Sequence, residues 1–178
     1  MDVIFLETER LRLRNVKPED AAIIYDYRNN DLCARYQRGQ TKDQSGIEAL
    51  VEKRKNDPLT IENNCFVAVA DRKTDQLIGE IVVMPNDGTI SLGYTFSYKH
   101  HRKGYAFEAL SALIGLLHSR YPAWDFISFT DKDNVASRSL LAKLGYKDLG
   151  YIQKMDSQVY GKFTTPETEV EIAEAAEP

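Results

Sequence analysis

Residues 99–106 read Lys99-His100-His101-Arg102-Lys103-Gly104-Tyr105-Ala106, a basic segment between an apolar, strand-like run and a helical one. A helix N-terminus presents unpaired backbone N–H groups and the positive end of the helix dipole, so it binds anions. Gly104 permits a positive φ angle and lets the backbone approach a ligand closely. The segment therefore predicts a phosphate or pyrophosphate cradle. The alternative is a solvated basic turn before an ordinary helix.

Strand-like runs precede this segment, and a helix follows it. The runs 65–70, 77–84 and 89–97 are apolar and β-branched, and Asp87-Gly88 suits the positive φ angles of a tight hairpin turn. Apolar residues at helical spacing predict a helix over 104–119. The other predicted elements are a strand over 9–14, helices over 18–30 and 41–55, a strand over 125–130, a helix over 134–144, and strands over 147–153 and 158–164. This order predicts an α/β (α+β) fold with a mixed, mainly antiparallel sheet flanked by helices.

The composition is that of one globular domain. A chain of 178 residues with 43% hydrophobic and 28% charged residues can bury a core. No apolar run approaches the ~20 residues that span a bilayer, and the N-terminus lacks a secretory signal pattern, so we expect no membrane partner. Cys33 and Cys65 are too few for a disulfide framework and lack metal-ligand spacing. We therefore expect free thiols, no metal site and a cytoplasmic location.

The net charge of −4 comes from the C-terminal tail, residues 165–178. The tail holds five of the 27 acidic residues and no Lys or Arg, which leaves 22 acids against 23 basic residues in the body. A nucleic-acid-binding protein would present a broad basic face, so we expect no nucleic-acid partner. The tail is interpreted as a flexible solubilising segment, with a short docked helix or strand as the alternative.

Two patterns at compatible spacing resemble those of one enzyme family. The strand followed by His101-Arg102-Lys103-Gly104-Tyr105-Ala106 and a helix resembles the Gln/Arg-x-x-Gly-x-Gly/Ala acetyl-CoA motif of the GNAT N-acetyltransferases. Asn134-Val135-Ala136-Ser137, followed by Lys143-Leu144-Gly145-Tyr146, is similar to the second family signature. Thr8-Glu9-Arg10-Leu11-Arg12-Leu13-Arg14 resembles the opening of the Rim-type branch, whose enzymes acetylate ribosomal-protein N-termini. The resemblance implies a GNAT domain over residues 1–164, followed by the acidic tail 165–178.

The resemblance also implies acetyl-CoA as co-substrate and a set of residues that bind it. Backbone N–H groups of 102–106 would hold the pyrophosphate, and the strand end 94–96 would part from its neighbour and polarise the thioester carbonyl. Asn134 would form a hydrogen bond with the pantetheine arm or the sulfur region, or serve as a helix N-cap, or both. The implied cofactor-binding residues are Tyr94, Thr95, Phe96, His101, Arg102, Lys103, Gly104, Tyr105, Ala106, Asn134 and Ser137.

Two positions depart from the family pattern. His101 stands where Gln or Arg is usual, which the site tolerates if the backbone does the binding. Leu141 stands where many relatives have a tyrosine that protonates the leaving thiolate. The Rim-type branch commonly lacks this tyrosine too, so the departure fits the branch and leaves the acid unassigned.

The general base and acid stay open between several candidates. The base candidates are Glu80, inside an apolar strand, and Asp131 or Asp133, at the end of the strand before Asn134. The competing interpretations are a solvent-facing strand residue for Glu80 and turn or capping residues for the aspartates. For the acid, the candidates are Tyr94, Tyr98 and Tyr105, each of which is also explained by packing.

The sequence therefore predicts an acetyl-CoA-dependent N-acetyltransferase, in which a primary amine attacks the thioester directly. The acceptor partner is a protein or peptide N-terminus or a small amine, and the chain is a monomer or homodimer. The alternatives are a non-catalytic acyl-CoA-binding sensor and an acetyltransferase of polyamines or aminoglycosides. Six Tyr and Arg residues around the first two helices either form one wall of the acceptor groove or only stabilise a helical hairpin. They are Tyr25, Tyr27, Tyr36, Arg28, Arg35 and Arg38.

Overall fold

The computed structural model describes residues 3–176. The strands are β1 (Ile4–Glu7), β2 (Leu11–Asn15), β3 (Cys65–Asp71), β4 (Leu77–Asn86), β5 (Thr89–Phe96), β6 (Asp125–Thr130), β7 (Lys147–Ile152) and β8 (Ser157–Lys162). The α-helices are α1 (Ala21–Arg28), α2 (Asp31–Ala34), α3 (Gln44–Arg54), α4 (Tyr105–Arg120), α5 (Val135–Lys143) and α6 (Pro166–Ala176).

One eight-stranded sheet runs through the molecule in the order β1-β2-β3-β4-β5-β6-β8-β7. Neighbouring strands are antiparallel except β5 and β6, which are parallel. The β5–β6 ladder covers only two residue pairs, Thr89–Asp125 and Ile90–Phe126. Beyond Ile90 the two strands part, so the sheet opens at its centre. The predicted α/β fold with a mixed, mainly antiparallel sheet is confirmed.

Apolar side chains cover the two faces of the sheet in separate clusters. On one face, α4 buries Leu113 and Leu117 against the strands, and α5 adds Leu141. Complete burial of such a side chain contributes about 1.5–3 kcal/mol. On the other face, Ile24 of α1 and Ile47 of α3 pack in a second cluster. Packed helices therefore cover both faces of the sheet.

The N-terminal region differs from the sequence prediction in three places, and the first is the short helix α2, which follows the predicted helix 18–30 and is not part of it. The predicted strand 9–14 is the second arm of a hairpin formed by β1 and β2. The helix predicted from Thr41 begins at Gln44, because the carboxylate of Asp43 accepts the Gly46 N–H and makes Asp43 the N-cap. For β2 and α3 the type of element is predicted correctly, and the boundary of each depends on a contact that sequence spacing does not fix.

The acidic tail forms the docked helix α6, as far as residue 176. Ile172 and Ala176 pack against a cluster made by Ile127, Ile152 and Val159. The interpretation of the tail as a flexible segment is thus wrong for residues 166–176, and the docked-helix alternative holds. Residues 177–178 of the predicted tail and residues 1–2 lie outside the described part. None of the helices in residues 3–176 is long and apolar enough to cross a membrane.

Candidate active site

The basic segment folds into a tight loop immediately before α4. Gly104, at φ 79°, and Arg102, at φ 59°, both adopt left-handed backbone conformations around Lys103. Only glycine adopts this conformation without a steric cost, which explains Gly104 at the helix start. The turn leaves the first backbone N–H groups of α4 without partners in the preceding chain. The loop therefore has the backbone shape and charge of an anion cradle.

Two residues from the β1–β2 hairpin clamp this loop. Glu108, in the first turn of α4, accepts hydrogen bonds from Thr8 Oγ1 (2.6 Å) and Arg10 Nε (2.6 Å). Arg10 Nη1 also donates to the Lys103 carbonyl (2.8 Å), and the guanidinium lies 4.5 Å from the Tyr105 ring centroid. Thr8 and Arg10 were noted in the sequence only as part of a strand. Their side chains instead fix the position of the cradle.

The clamp affects the ionisation of Glu108. Partial burial raises the pKa of this carboxyl, but the hydrogen bonds from Thr8 and Arg10 outweigh burial, and the net pKa lies below the ordinary glutamate value. A depressed folded-state pKa stabilises the fold above the unfolded-state pKa. That stabilisation is lost as the pH falls through the folded-state pKa.

Replacement of Glu108 by glutamine is expected to lower the free energy of unfolding at neutral pH by about 1 kcal/mol, since the Arg10 side chain is partly exposed and solvent screens the pair. The difference from the wild type should shrink as the pH falls below the ordinary glutamate pKa of about 4.3. Urea unfolding at neutral and acidic pH measures it. Glu62→Gln, at an exposed position, is the control and should change little; a pH-independent Glu108→Gln effect would exclude the ionised clamp.

The opening between β5 and β6 exposes backbone groups of β5. The Ser97 N–H donates to Ile78 O (2.9 Å) in the β4–β5 register, and alternate residues of an antiparallel pair face the partner strand. Tyr94 and Phe96 therefore direct their N–H and C=O groups away from β4, towards the opening. Thr95 is paired with Glu80 of β4 and faces the other way. Of the predicted stretch 94–96, the Tyr94 backbone N–H is thus available at the opening.

The His101 side chain forms a hydrogen bond with the backbone of β5 in the same region. Its Nε2 lies 2.8 Å from the Phe96 carbonyl oxygen, which can only accept, so Nε2 carries the hydrogen of this bond. The Phe96 carbonyl also accepts from Cys33 Sγ (3.3 Å). The histidine in place of the usual Gln or Arg thereby ties the cradle loop to the end of β5.

A cavity of about 340 Å³ continues from the opening towards the α2–α3 connection. Its wall is polar and aromatic, and only two of its lining residues, Arg38 and Asp131, carry charges. The lining residues are Tyr36, Gln37, Arg38, Met84, Leu92, Gly93, Tyr94, Ser128, Phe129, Thr130, Asp131, Asn134, Ser137 and Ser157. Four predicted site residues, Tyr94, Asp131, Asn134 and Ser137, therefore meet in one cavity.

Two hydroxyl groups lie side by side in the cavity wall. The Tyr94 hydroxyl is 2.7 Å from Ser137 Oγ. Burial raises the pKa of Tyr94, although the hydrogen bond with Ser137 opposes the rise, so the hydroxyl stays protonated at neutral pH. Asn134 is the N-cap of α5, and its side chain accepts the Ser137 N–H (3.1 Å). Asn134 therefore caps α5, and it also lines the cavity.

Asp131 is the carboxylate of the cavity. Its Oδ1 accepts the Asp133 N–H (2.9 Å), and its Oδ2 lies 3.6 Å from Arg38 Nη2. The side chain of Asp131 is 27% exposed, so it reaches both solvent and the cavity. The turn interpretation and the functional interpretation of Asp131 are both compatible with this geometry.

Glu80 lies elsewhere, buried in a polar cluster between β4 and α1. Arg28 Nη2 is 2.5 Å from Glu80 Oε1, and the side chains are only 5% and 2% exposed. The Tyr27 hydroxyl donates to Glu80 Oε2, and burial and this carboxylate raise the pKa of Tyr27, which keeps the hydroxyl protonated. Gln40 Nε2 donates to both Glu80 Oε1 (3.4 Å) and Thr95 Oγ1 (3.0 Å). Glu80 does not line the cavity, and its interpretation as solvent-facing is wrong.

The remaining acid candidates also lie away from the cavity wall. The Tyr98 hydroxyl donates to Asp26 (3.4 Å), and Tyr105 is covered by Arg10. Within residues 3–176, His, Cys, Asp and Glu side chains form no cluster of three that could hold a metal ion. The cavity therefore presents hydroxyl groups, one carboxylate, one guanidinium and backbone amides as its reactive and binding groups.

Comparisons with known proteins agree with this geometry. Residues 10–147 match the family model described as "Acetyltransferase (GNAT) domain". The Bacillus subtilis protein named "Uncharacterized N-acetyltransferase YnaD" is 26% identical over 151 residues, which cover 84% of this chain and 86% of that one. The chain belongs to the GNAT acetyltransferase family, and it is an acetyltransferase.

Solved structures of this family share the fold. A GNAT-family acetyltransferase from Bacillus anthracis superposes with a TM-score of 0.75 at 21% identity, over 90% of this chain and 96% of that one. RimL, a ribosomal L7/L12 alpha-N-protein acetyltransferase solved in complex with coenzyme A, gives a TM-score of 0.75 at 12% identity, over 90% of this chain and 97% of that one. The predicted GNAT fold is thus confirmed, and a Rim-type enzyme is among the structures that share it.

Proposed function

We propose that this protein transfers an acetyl group from acetyl-CoA to a primary amine. The observation that carries the proposal is that the end of β5 lies beside both parts of the site: His101 joins the loop before α4 to Phe96, and Tyr94 lines the cavity that holds Asp131. The RimL structure, which contains coenzyme A, supports the same choice of co-substrate. Acetyl-CoA supplies an activated thioester, so the chain has only to bind, orient and exchange protons. The catalytic domain is proposed to span residues 1–164.

The cradle residues are proposed to hold the pyrophosphate. Backbone N–H groups of residues 102–106, together with the side-chain charges of Arg102 and Lys103, suit a dianion at the start of α4. Tyr105 and Ala106 contribute as the first helical residues, and His101 holds the loop against Phe96. Asn134 is proposed to contact the pantetheine arm from the cavity wall.

The cavity residues are proposed to carry the proton transfers. The Tyr94 N–H polarises the carbonyl that the amine attacks, because its donor faces the opening in a fixed strand. Asp131 binds the ammonium form of the acceptor and accepts one proton from it, which leaves a neutral amine. This amine attacks the carbonyl, the C–N bond forms as the C–S bond breaks, and the same nitrogen releases its second proton to solvent. The Tyr94–Ser137 hydroxyl pair donates a proton to the departing thiolate. Glu80 is proposed to position the strand through Arg28 and Gln40, because it is buried outside the cavity.

Replacement of Asp131 by asparagine is expected to lower kcat/KM for the amine by about 10²–10³-fold, within the range for loss of a general base. The affinity for acetyl-CoA, measured by calorimetry, should stay within about threefold, since Asp131 lies beyond the cradle. Asp133→Asn is the control, because Asp133 does not line the cavity. Equal losses in both variants would exclude Asp131 as the base.

The acceptor is proposed to be a peptide or protein N-terminus. One carboxylate in the cavity wall suits a single ammonium group, whereas a polyamine or an aminoglycoside carries several positive charges and would gain from a more acidic wall. The protein substrate named for RimL supports the same class.

Thiol release from acetyl-CoA tests the proposed function. We expect release with one or more of the peptides that start with Ala, Ser or Met, and less with spermidine or kanamycin. Coenzyme A binding without thiol release on any of these amines would favour the alternative, a non-catalytic acyl-CoA sensor.

A cytoplasmic location and a monomeric or homodimeric assembly stay proposals. The free, buried Cys33 and Cys65 support a reducing compartment. Size-exclusion chromatography with light scattering tests the assembly, and a mass above that of a dimer would contradict it.

A further inference from the structure

Residues 36–38 lie across the cavity and contact three of its walls. They belong to the connection between α2 and α3, and all three line the cavity. Tyr36 Oη donates to the Asp133 carbonyl (3.1 Å), and Gln37 Nε2 donates to the Tyr94 carbonyl (3.1 Å). Arg38 donates from Nη1 to the Met155 carbonyl (3.2 Å) and from Nη2 to the Asp156 carbonyl (2.8 Å). The walls are thus the β6–α5 loop, strand β5 and the β7–β8 turn.

We propose that residues 36–38 form a roof over the acceptor side of the cavity, and that Arg38 latches this roof to the β7–β8 turn and thereby restricts the acceptor to slender amines. The inference rests on the proposed function and deepens it, since it concerns which N-termini enter the same site. Arg38 is a specificity-determining residue in this scheme; it does not take part in the proton transfers.

The latch depends on Arg38 more than on its two neighbours. Its guanidinium makes two charge-assisted hydrogen bonds to the turn, and such bonds are stronger than those between neutral groups. It also lies 3.6 Å from Asp131 Oδ2 and 3.8 Å from Asp156 Oδ2, so it joins the roof to the cavity carboxylate. The side chain is 54% exposed, so its removal leaves no buried hole.

The roof can open because its backbone is not part of a helix or strand. The connection between α2 and α3 has irregular structure, and the β7–β8 turn that receives the latch is a short 3₁₀ turn, Gln153–Met155. Segments of this kind open locally at low cost in free energy. With the latch closed, a bulky first residue of a peptide would meet Tyr36 or Phe129, two aromatic residues of the cavity wall.

Hydrogen exchange tests the latch without an acceptor. We expect Arg38→Ala to speed the exchange of backbone amides in residues 36–40 and 154–157 by about tenfold, as local opening becomes easier. Lys42→Ala removes one positive charge from the same connection at an exposed position and should leave exchange unchanged. Unchanged exchange in Arg38→Ala would overturn the proposal.

The preference between two acceptor peptides tests whether the Arg38 latch excludes bulky N-terminal residues. Two peptides that differ only in the first residue, Ala or Trp, are compared by kcat/KM in the wild type, Arg38→Ala and Lys42→Ala. The Trp/Ala ratio should rise by about tenfold in Arg38→Ala alone, a typical value for steric selection. Faster exchange with an unchanged ratio would also overturn the proposal. A wild type that acetylates neither peptide would count against the proposed function instead, while the exchange experiment still decides whether the latch exists.

Discussion

Replacement of Gly104 by glutamate is expected to abolish acetyl-CoA binding, with an affinity loss of about 100-fold or more. The substitution places a carboxylate beside the backbone N–H groups proposed for the pyrophosphate, and it forces a side chain onto a residue at φ 79°. A Cβ atom there would lie 3.4 Å from Arg10 Nη2, an ordinary van der Waals distance, so the expected loss comes from the added charge and the backbone conformation. Calorimetric titration with acetyl-CoA measures the loss.

The matched control for this experiment is Gly88→Glu. Gly88 has φ 81°, and its Cβ position meets no atom within 4 Å, so the variant carries similar backbone strain, about 1–2 kcal/mol, and the same added charge. It lies in the β4–β5 hairpin turn, outside the cradle. We expect both variants to lose stability but only Gly104→Glu to lose binding; unchanged affinity in a folded Gly104→Glu protein would contradict the cradle.

Replacement of Arg28 by methionine is expected to lower the free energy of unfolding by about 3–5 kcal/mol. The change leaves the Glu80 carboxylate buried, with a 2% exposed side chain and no cation beside it. An unpaired buried charge is costly because the interior does not replace the water that the charge has lost. Urea unfolding at neutral pH measures the difference.

Two further variants separate this effect from general damage. Lys147→Met breaks the exposed pair between Lys147 and Glu169, and it should cost at most about 1 kcal/mol. Arg28→Met combined with Glu80→Gln removes both charges and should regain part of the stability. If the double variant were no more stable than Arg28→Met alone, the unpaired Glu80 charge would not be the cause.

Local signals predicted most of the fold. The hairpin at Asp87-Gly88 has the positive φ angles expected of it, 39° and 81°, and Asn134 is the N-cap of α5 as its position indicated. Gly145, at φ 86°, follows the end of that helix. Each of these local conformations depends on neighbouring residues in the chain, so local sequence patterns are enough to predict it.

The features that sequence reasoning missed depend on distant partners. Glu80 was correctly placed in an apolar strand, but its partner Arg28 lies 52 residues away and no spacing rule joins them. The clamp between Arg10 and Glu108 spans 98 residues, and the roof contact between Arg38 and Asp156 spans 118. For α6, the spacing of Ile172 and Ala176 on one helical face was a usable signal that the acidic composition obscured.

The most direct test of the central claim is mass-spectrometric detection of acetyl transfer from labelled acetyl-CoA to peptides with a free Ala, Ser or Met N-terminus. We expect a labelled amide at the peptide N-terminus with the wild type, much less with Asp131→Asn, and none with Gly104→Glu. A wild-type protein that binds acetyl-CoA yet labels none of the peptides, or a Gly104→Glu protein that labels them as well as the wild type, would contradict it.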